Sequence, residues 1–174
     1  FASCIAVARI AKFCGATSHI IVDKNDKNLK SAFRLVDESP EYNGMFVDRA
    51  QAQDLLMSET LVVVVDVNNL NFCEAPDVVS GAYNVVIIDH HRKTSEFEKK
   101  PNIVYIEPSA SSASELVSEL LELILPQGTL TKTEADLLFA GMLLDTKQFT
   151  HNAGVRTFGS ALYLRSEGAS PIDA

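Results

Sequence analysis

Two short runs of β-branched residues, Leu61-Val62-Val63-Val64-Val65 and Val85-Val86-Ile87-Ile88, sit in the middle of this 174-residue chain and constrain its fold most. Each is too short and too branched for a helix, and reads as a strand buried on both faces of a parallel sheet. Between them, Ala75-Pro76-Asp77-Val78-Val79-Ser80-Gly81 places Pro at a first helical position and Gly at a stop. That spacing predicts a compact β-α-β crossover, whose strands lie side by side or one apart.

Both strands run straight into acids. Asp66 ends the first, and Asp89-His90-His91 ends the second. The carboxyl ends of strands face the crevice where open α/β sheets bind ligands. A core has no need of a carboxylate and two imidazoles in a row, since each carries a desolvation cost when buried unpaired. A metal site explains the triplet better. Asp66 alone reads equally as a loop acid or a ribose-binding acid; beside the triplet it reads as a metal ligand.

Strands alternating with helical patterns along the rest of the chain predict an α/β fold, an open parallel sheet covered by helices on both faces. The first helix runs from Phe1 to Gly15, with Ile5 and Ala8 on one face. Ser18 to Val22 reads as a strand in which His19 is a satisfied edge residue, Asp23 to Asn28 as a polar loop, and Leu29 to Val36 as a helix. Met45 to Val47 is a short strand, Asp48 caps a helix from Arg49 to Met57, and Asn102 to Ile106 is a further strand. Ser112-x-x-Glu115 and Thr131-x-x-Glu134 are capping boxes opening two more helices. The last helix spans Gly154 to Arg165, with Gly168 beyond its end. There is no internal linker.

Composition narrows the function classes. A net charge of −8 and a pI of about 4.9 argue against a general nucleic-acid-binding surface but admit a small phosphate substrate, because bound divalent cations can reverse the local sign. The three cysteines form no CxxC pair and read as reduced thiols of a cytosolic domain. No apolar run is long enough to span a bilayer. No Gly-x-Gly-x-x-Gly follows a strand and no Gly-x-Ser-x-Gly elbow occurs, which disfavours a dinucleotide-dependent oxidoreductase and a serine hydrolase.

Asp145 follows Gly141-Met142-Leu143-Leu144 near the end of an apolar helix. An acid there opposes the helix dipole at a cost of about 0.3–1 kcal/mol. Either it faces water and caps the following turn with Thr146, or a divalent cation compensates its charge.

Asp66, Asp89-His90-His91 and Gly141-x-x-x-Asp145-Thr146 resemble, in order and spacing, the DHH phosphoesterase superfamily. The longer stretches Asp89-His90-His91-Arg92, Glu107-Pro108-x-Ala110-Ser111-Ser112-x-Ser114-Glu115, Asp145-Thr146-Lys147-x-Phe149-Thr150 and Gly154-x-Arg156-Thr157-Phe158 are similar to its GdpP (YybT) branch of cyclic di-AMP phosphodiesterases. The resemblance implies that Asp66 bridges two Mn²⁺ ions, and that His90 and Asp145 complete one metal shell. It implies that His91 is catalytic, contacting the scissile phosphate or its leaving oxygen, with Asp89 behind as the acid orienting a histidine. Arg92 is implied near the substrate phosphate. Arg156 is a weaker candidate for the same contact, and reads equally as an arginine paired to an acidic loop.

The same resemblance implies hydrolysis of cyclic di-AMP to pApA by a water activated between two cations. Carboxylates mixed with imidazole suit Mn²⁺ better than Mg²⁺ or a thiolate-loving metal. The alternatives are an oligoribonuclease, a pApA hydrolase or another DHH phosphohydrolase, and, outside enzymes, a catalytically inactive nucleotide-sensing module. Further implications are a cytoplasmic domain of a membrane-anchored bacterial protein, no membrane contact by the domain itself, and a homodimer. The family's first motif, which supplies the remaining metal ligands, and its trailing DHHA1 domain are absent from residues 1–174. The expectation is a DHH domain fragment, lacking its N-terminal strand and weakly active by itself.

Overall fold

The computed structural model describes residues 1–37, 39–93 and 100–171. The end of the expected domain range, residues 172–174, lies outside them. The chain divides into two compact units, His19–Ile106 and Phe1–Ser18 with Glu107–Ala174.

The first unit carries the parallel sheets. Its strands are β1 (Ile20–Ile21), β2 (Phe46–Val47), β3 (Leu61–Val65), β4 (Asn84–Asp89) and β5 (Ile103–Ile106). The α/β expectation holds, and every strand pair is parallel. The strands form two sheets, however, ordered β1-β2 and β3-β4-β5. β1 stays short because turns begin directly after Val22: the amides of Asn25 and Asn28 donate to the Asp23 and Asp26 carboxylates, both at 2.8 Å, in place of a ladder. The crossover between β3 and β4 is the predicted one, with its helix at Pro76–Gly81. Val79 and Ala82 from that crossover bury against Val64, Val85 and Ile87 of the strands. Burying a Val or Ile side chain is worth about 1.5–3 kcal/mol.

Helices alternate with these strands. Lys30–Asp37 lies between β1 and β2, and Arg49–Asp54 follows β2. Asp48 caps the latter, as its sequence predicts, and the structure adds a reciprocal bond from the Asp48 amide to the Gln51 side chain that closes a capping box. That helix stops at Asp54 rather than reaching Met57. The Met57 amide donates instead to Thr60 Oγ1 at 3.0 Å, and the resulting turn ends the helix.

The second unit is helical. Its helices are Ala2–Phe13, Ala113–Ile124, Lys132–Asp145 and Val155–Ser166, close to their expected spans. Ile5, Leu116, Leu121, Leu138, Met142 and Leu164 form its interior. Among the described residues four carboxylates are buried in this unit, Glu115, Glu134, Asp136 and Glu167, the first two most deeply. Glu115 accepts from Ser111 N–H, Ser111 Oγ and Thr157 Oγ1 at 3.1, 2.6 and 2.6 Å. Glu134 takes a fork from Arg9 at 2.9–3.0 Å. Asp136 accepts from Lys132 and the Ser170 amide, and Glu167 from the amides of Gly128 and Leu130, so each of the four is matched by donors, as low-dielectric surroundings require. Gly141 allows close helix contact, since a Cβ there would fall 2.3 Å from Ser114 Oγ.

Candidate metal centre

Parallel pairing assembles the centre. Val65 is registered against Ile88, and one further ladder bond, Asp66 N–H to the Ile88 carbonyl at 2.9 Å, sets Asp66 level with Asp89. There β3 ends sharply: Asp66 adopts φ +68°, the left-handed region. For a non-glycine residue this conformation costs of order 1–3 kcal/mol and concentrates at functional sites. The Asp66 side chain is 48% exposed.

Asp89, His90 and His91 face Asp66 from the end of β4. His90 Nε2 lies 3.4 Å from Asp66 Oδ1. His91 Nδ1 lies 3.9 Å from the same oxygen, and the two imidazole centroids are 4.2 Å apart. One donor atom from each of Asp66, Asp89, His90 and His91 falls within 4.8 Å of the other three, the one such group among the described residues. Two donors bound to one ion at about 2.1 Å lie about 3.0 Å apart at octahedral angles and about 3.4 Å at tetrahedral ones. The Asp66–His90 separation therefore fits a shared divalent cation.

The four residues differ in what remains for such an ion. Asp89 is fully buried and its carboxylate is surrounded by donors. Oδ1 accepts from His90 N–H at 2.8 Å, His91 N–H at 3.2 Å and His91 Nδ1 at 2.8 Å, and Oδ2 accepts from Asn68 Nδ2. This is an orienting acid, and the histidine it orients is His91. With Nδ1 committed to Asp89, His91 presents Nε2 from a side chain that is 59% exposed. His90 is more enclosed, at 16%.

Asn68 was not among the residues singled out by sequence. It is buried, and besides Asp89 its amide reaches the carbonyls of His91 at 3.2 Å and Arg92 at 3.5 Å. The signal available was a polar residue two positions beyond Asp66, set between Val67 and Leu70, which pack on the core.

The remaining candidates are placed differently. Arg92 is exposed directly after the triplet. Asp145 belongs to the helical unit, where it is the exposed last residue of its helix. After Asp145 the backbone makes a turn of three consecutive left-handed residues, Lys147, Gln148 and Phe149, at φ +46°, +58° and +63°. Left-handed residues ordinarily occur singly. Buried Thr146 pins this turn, its Oγ1 donating to the Met142 carbonyl at 2.6 Å and accepting from Phe149 N–H at 2.9 Å. Arg156, also in the helical unit, forks onto Glu119 at 2.8 and 2.7 Å, with Glu107 and Glu115 at 3.8 and 3.9 Å. That is the ion-paired arrangement its sequence position also allowed. His19 sits at an edge, Nδ1 3.3 Å from the Gly44 carbonyl, and the three cysteines are free thiols.

Residues 1–142 match the DHH family, N-terminal domain, and the chain belongs to that family. It is 37% identical over 172 residues to the cyclic-di-AMP phosphodiesterase PdeA of Listeria monocytogenes, covering 98% of this chain and 26% of that one. It is 35% identical over 171 residues to the cyclic-di-AMP phosphodiesterase GdpP of Bacillus subtilis, covering 97% and 26%. This chain thus spans about a quarter of the length of these curated relatives. Among solved structures, an exopolyphosphatase-related protein from Bacteroides fragilis superposes with TM-score 0.77 at 23% identity, over 99% of this chain and 50% of its own, a likeness of fold.

Proposed function

We propose that this chain is the metal-binding part of a phosphodiesterase that hydrolyses cyclic di-AMP to pApA, with Mn²⁺ as its metal. The observation that carries the proposal is the convergence of Asp66, Asp89, His90 and His91 within 4.8 Å at the carboxyl ends of two adjacent parallel strands. Identity of 35–37% to two cyclic-di-AMP phosphodiesterases over nearly the whole chain supports the substrate.

In this proposal Asp66 and His90 hold the cation, and Asp145 is a further ligand. Support for Asp145 is local: an exposed carboxylate at the negative end of a helix dipole, followed by a strained left-handed turn. Carboxylate oxygens with imidazole nitrogen suit Mn²⁺. Divalent cations, when bound, supply water activation and neutralise the phosphate's charge. His91 is the residue that meets substrate. Asp89 holds its Nδ1, so Nε2 is the nitrogen directed to the scissile phosphate or the departing 3′ oxygen. Arg92, exposed beside it, contributes a positive charge to the phosphate. In the reaction, water oxygen bonds to phosphorus, the 3′ oxygen leaves, and that oxygen carries away a proton. Arg156 is already forked onto Glu119, so no phosphate contact is assigned to it.

Anchoring of the protein to a bacterial membrane with this domain on the cytoplasmic side, and its association as a homodimer, belong to the same proposal. Among the described residues no helix is long and apolar enough to cross a membrane.

The test is product analysis. The intact protein, loaded with Mn²⁺, is incubated separately with cyclic di-AMP, pApA and a short oligoribonucleotide, and products are resolved by ion-pair chromatography. Conversion of cyclic di-AMP to pApA, abolished by chelator and restored by Mn²⁺, is expected. Cleavage of pApA or RNA alone would keep the metal chemistry and reassign the substrate. No cleavage and no metal binding would leave a nucleotide-sensing module.

A further inference from the structure

We propose that Asn68 is a positioning residue for this centre, the clamp that fixes the Asp89–His91 pair. The inference rests on the metal-centre reading above and adds to it a residue from the other strand's loop. Asn68 is 4% exposed. Its Nδ2 faces three groups that can only accept hydrogen bonds: the Asp89 carboxylate and the backbone carbonyls of His91 and Arg92. That acceptor set also fixes the orientation of the amide, because the opposite flip would turn its oxygen towards three oxygens.

The loop holding Asn68 is itself anchored. Val67 and Leu70 on either side of it pack on the core formed by β3, β4 and their crossover. Asn68 therefore links the segment carrying Asp66 to the backbone of the Asp89-His90-His91 turn. It satisfies Oδ2 of Asp89, leaving Oδ1 to hold His91 Nδ1 at 2.8 Å. It also reaches the carbonyls of two successive peptides, those of His91 and Arg92. Loss of the amide frees the carboxylate to rotate and the turn to shift, and His91 loses its fixed direction. Residues that hold metal ligands and catalytic histidines in this indirect way are worth about 10–100-fold in affinity or activity.

The variants are Asn68→Ala, which removes the donor, and Asn68→Asp, which keeps the shape and puts an acceptor against acceptors. Both are made in the intact protein. Three quantities are measured: kcat and KM with Mn²⁺ and cyclic di-AMP, Mn²⁺ affinity by calorimetry, and the His91 Nδ1–H signal by ¹⁵N-edited NMR without metal. In Asn68→Ala, kcat or Mn²⁺ affinity should fall about tenfold or more, KM should stay within about threefold, and the Nδ1–H signal should shift or broaden. Asn68→Asp should be at least as impaired. A loss that merely follows the unfolded fraction and vanishes at lower temperature would overturn the proposal. So would an unchanged His91 Nδ1–H signal in Asn68→Ala. The NMR result decides even where the wild-type protein cleaves no cyclic di-AMP, so failure of the functional reading is distinguishable from failure of the clamp.

Discussion

The buried carboxylate of Asp89 accepts the Nδ1 hydrogen bond of the exposed His91 ring at 2.8 Å, and this pair sets the chemistry of the strand-end cluster. The acid is fully enclosed and the imidazole largely open. The ring's direction is thus set from inside the fold while its free nitrogen stays available outside. Asp89→Asn keeps the shape, weakens the acceptor for the three donors on Oδ1 and sets an NH2 against the Asn68 amide donor. The expected result is a loss of about 10–100-fold in kcat, together with about 1–3 kcal/mol of stability from the weakened buried network. Steady-state kinetics and urea unfolding of the same preparation check both.

Asp66 sits in a strained backbone conformation at the end of β3. At φ +68° a glycine would sit without penalty, so Asp66→Gly should stabilise the fold by about 1 kcal/mol while abolishing metal-dependent hydrolysis. Asp66→Ala should lose activity equally and gain no stability. Paired thermal melts and activity assays separate the two effects.

Glu115 is the polar centre of the helical unit. Its buried carboxylate gathers Ser111 and Thr157, so Glu115→Ala strands three donors and should cost about 3–5 kcal/mol. Thr157→Val removes one donor and should cost about 1–2 kcal/mol. Denaturant midpoints measure both, and circular dichroism confirms the fold of each variant before comparison.

Gly141→Ala tests helix contact in the same unit. Its new Cβ would meet Ser114 Oγ at 2.3 Å and Ser114 Cβ at 3.3 Å. The overpacking should cost about 1–3 kcal/mol despite alanine's better helix propensity. Ser114→Ala in the same chain removes the closer clash, so the double variant should be more stable than Gly141→Ala alone.

Tyr163 gives an alkaline pH dependence. Burial, and then the charges of Glu167 and Glu122, push its phenol up to about 12 from the usual 10. The folded state therefore holds this proton after the unfolded state has released it. Its contribution is fully present below pH 10 and is lost as pH rises towards about 12. Absorbance titration of the phenolate band should show Tyr163 ionising late in the folded protein. Tyr163→Phe should remove that step and flatten the fall in stability over the same range.

Much of this was legible in sequence because local chemistry and tertiary structure agree. The β-branched runs ending at Val65 and Ile88 pair in register, which is why Asp66 and the Asp89-His90-His91 triplet could be brought together before any coordinates. The capping box at Thr131 and the cap at Asp48 mark true helix starts for the same reason; Ser112 also caps its helix, but the expected box does not close, because the Glu115 side chain turns to Ser111 instead. Periodicity did not reveal the early stop at Asp54, which depends on a side-chain bond from Thr60. Nor did it reveal the division of the strands into two sheets, or how short β1 is, with Asx turns at Asp23 and Asp26 following it directly. Asn68 stayed hidden because its importance lies in three acceptors more than twenty residues away. The left-handed turn after Asp145 was hidden too, since Lys147, Gln148 and Phe149 are not residue types that signal it.

The most direct test of the metal centre is the rate of Mn²⁺-dependent cyclic di-AMP hydrolysis by the intact protein beside its His90→Ala variant, both checked for folding by thermal melt. His90→Ala removes an imidazole nitrogen 3.4 Å from Asp66 and keeps the backbone N–H that donates to Asp89. The expected result is a fully folded variant whose hydrolysis is slower by roughly a hundredfold or more, with weakened Mn²⁺ binding. A folded His90→Ala protein that binds Mn²⁺ and hydrolyses cyclic di-AMP within about threefold of wild type would contradict the assignment of this cluster as the metal centre.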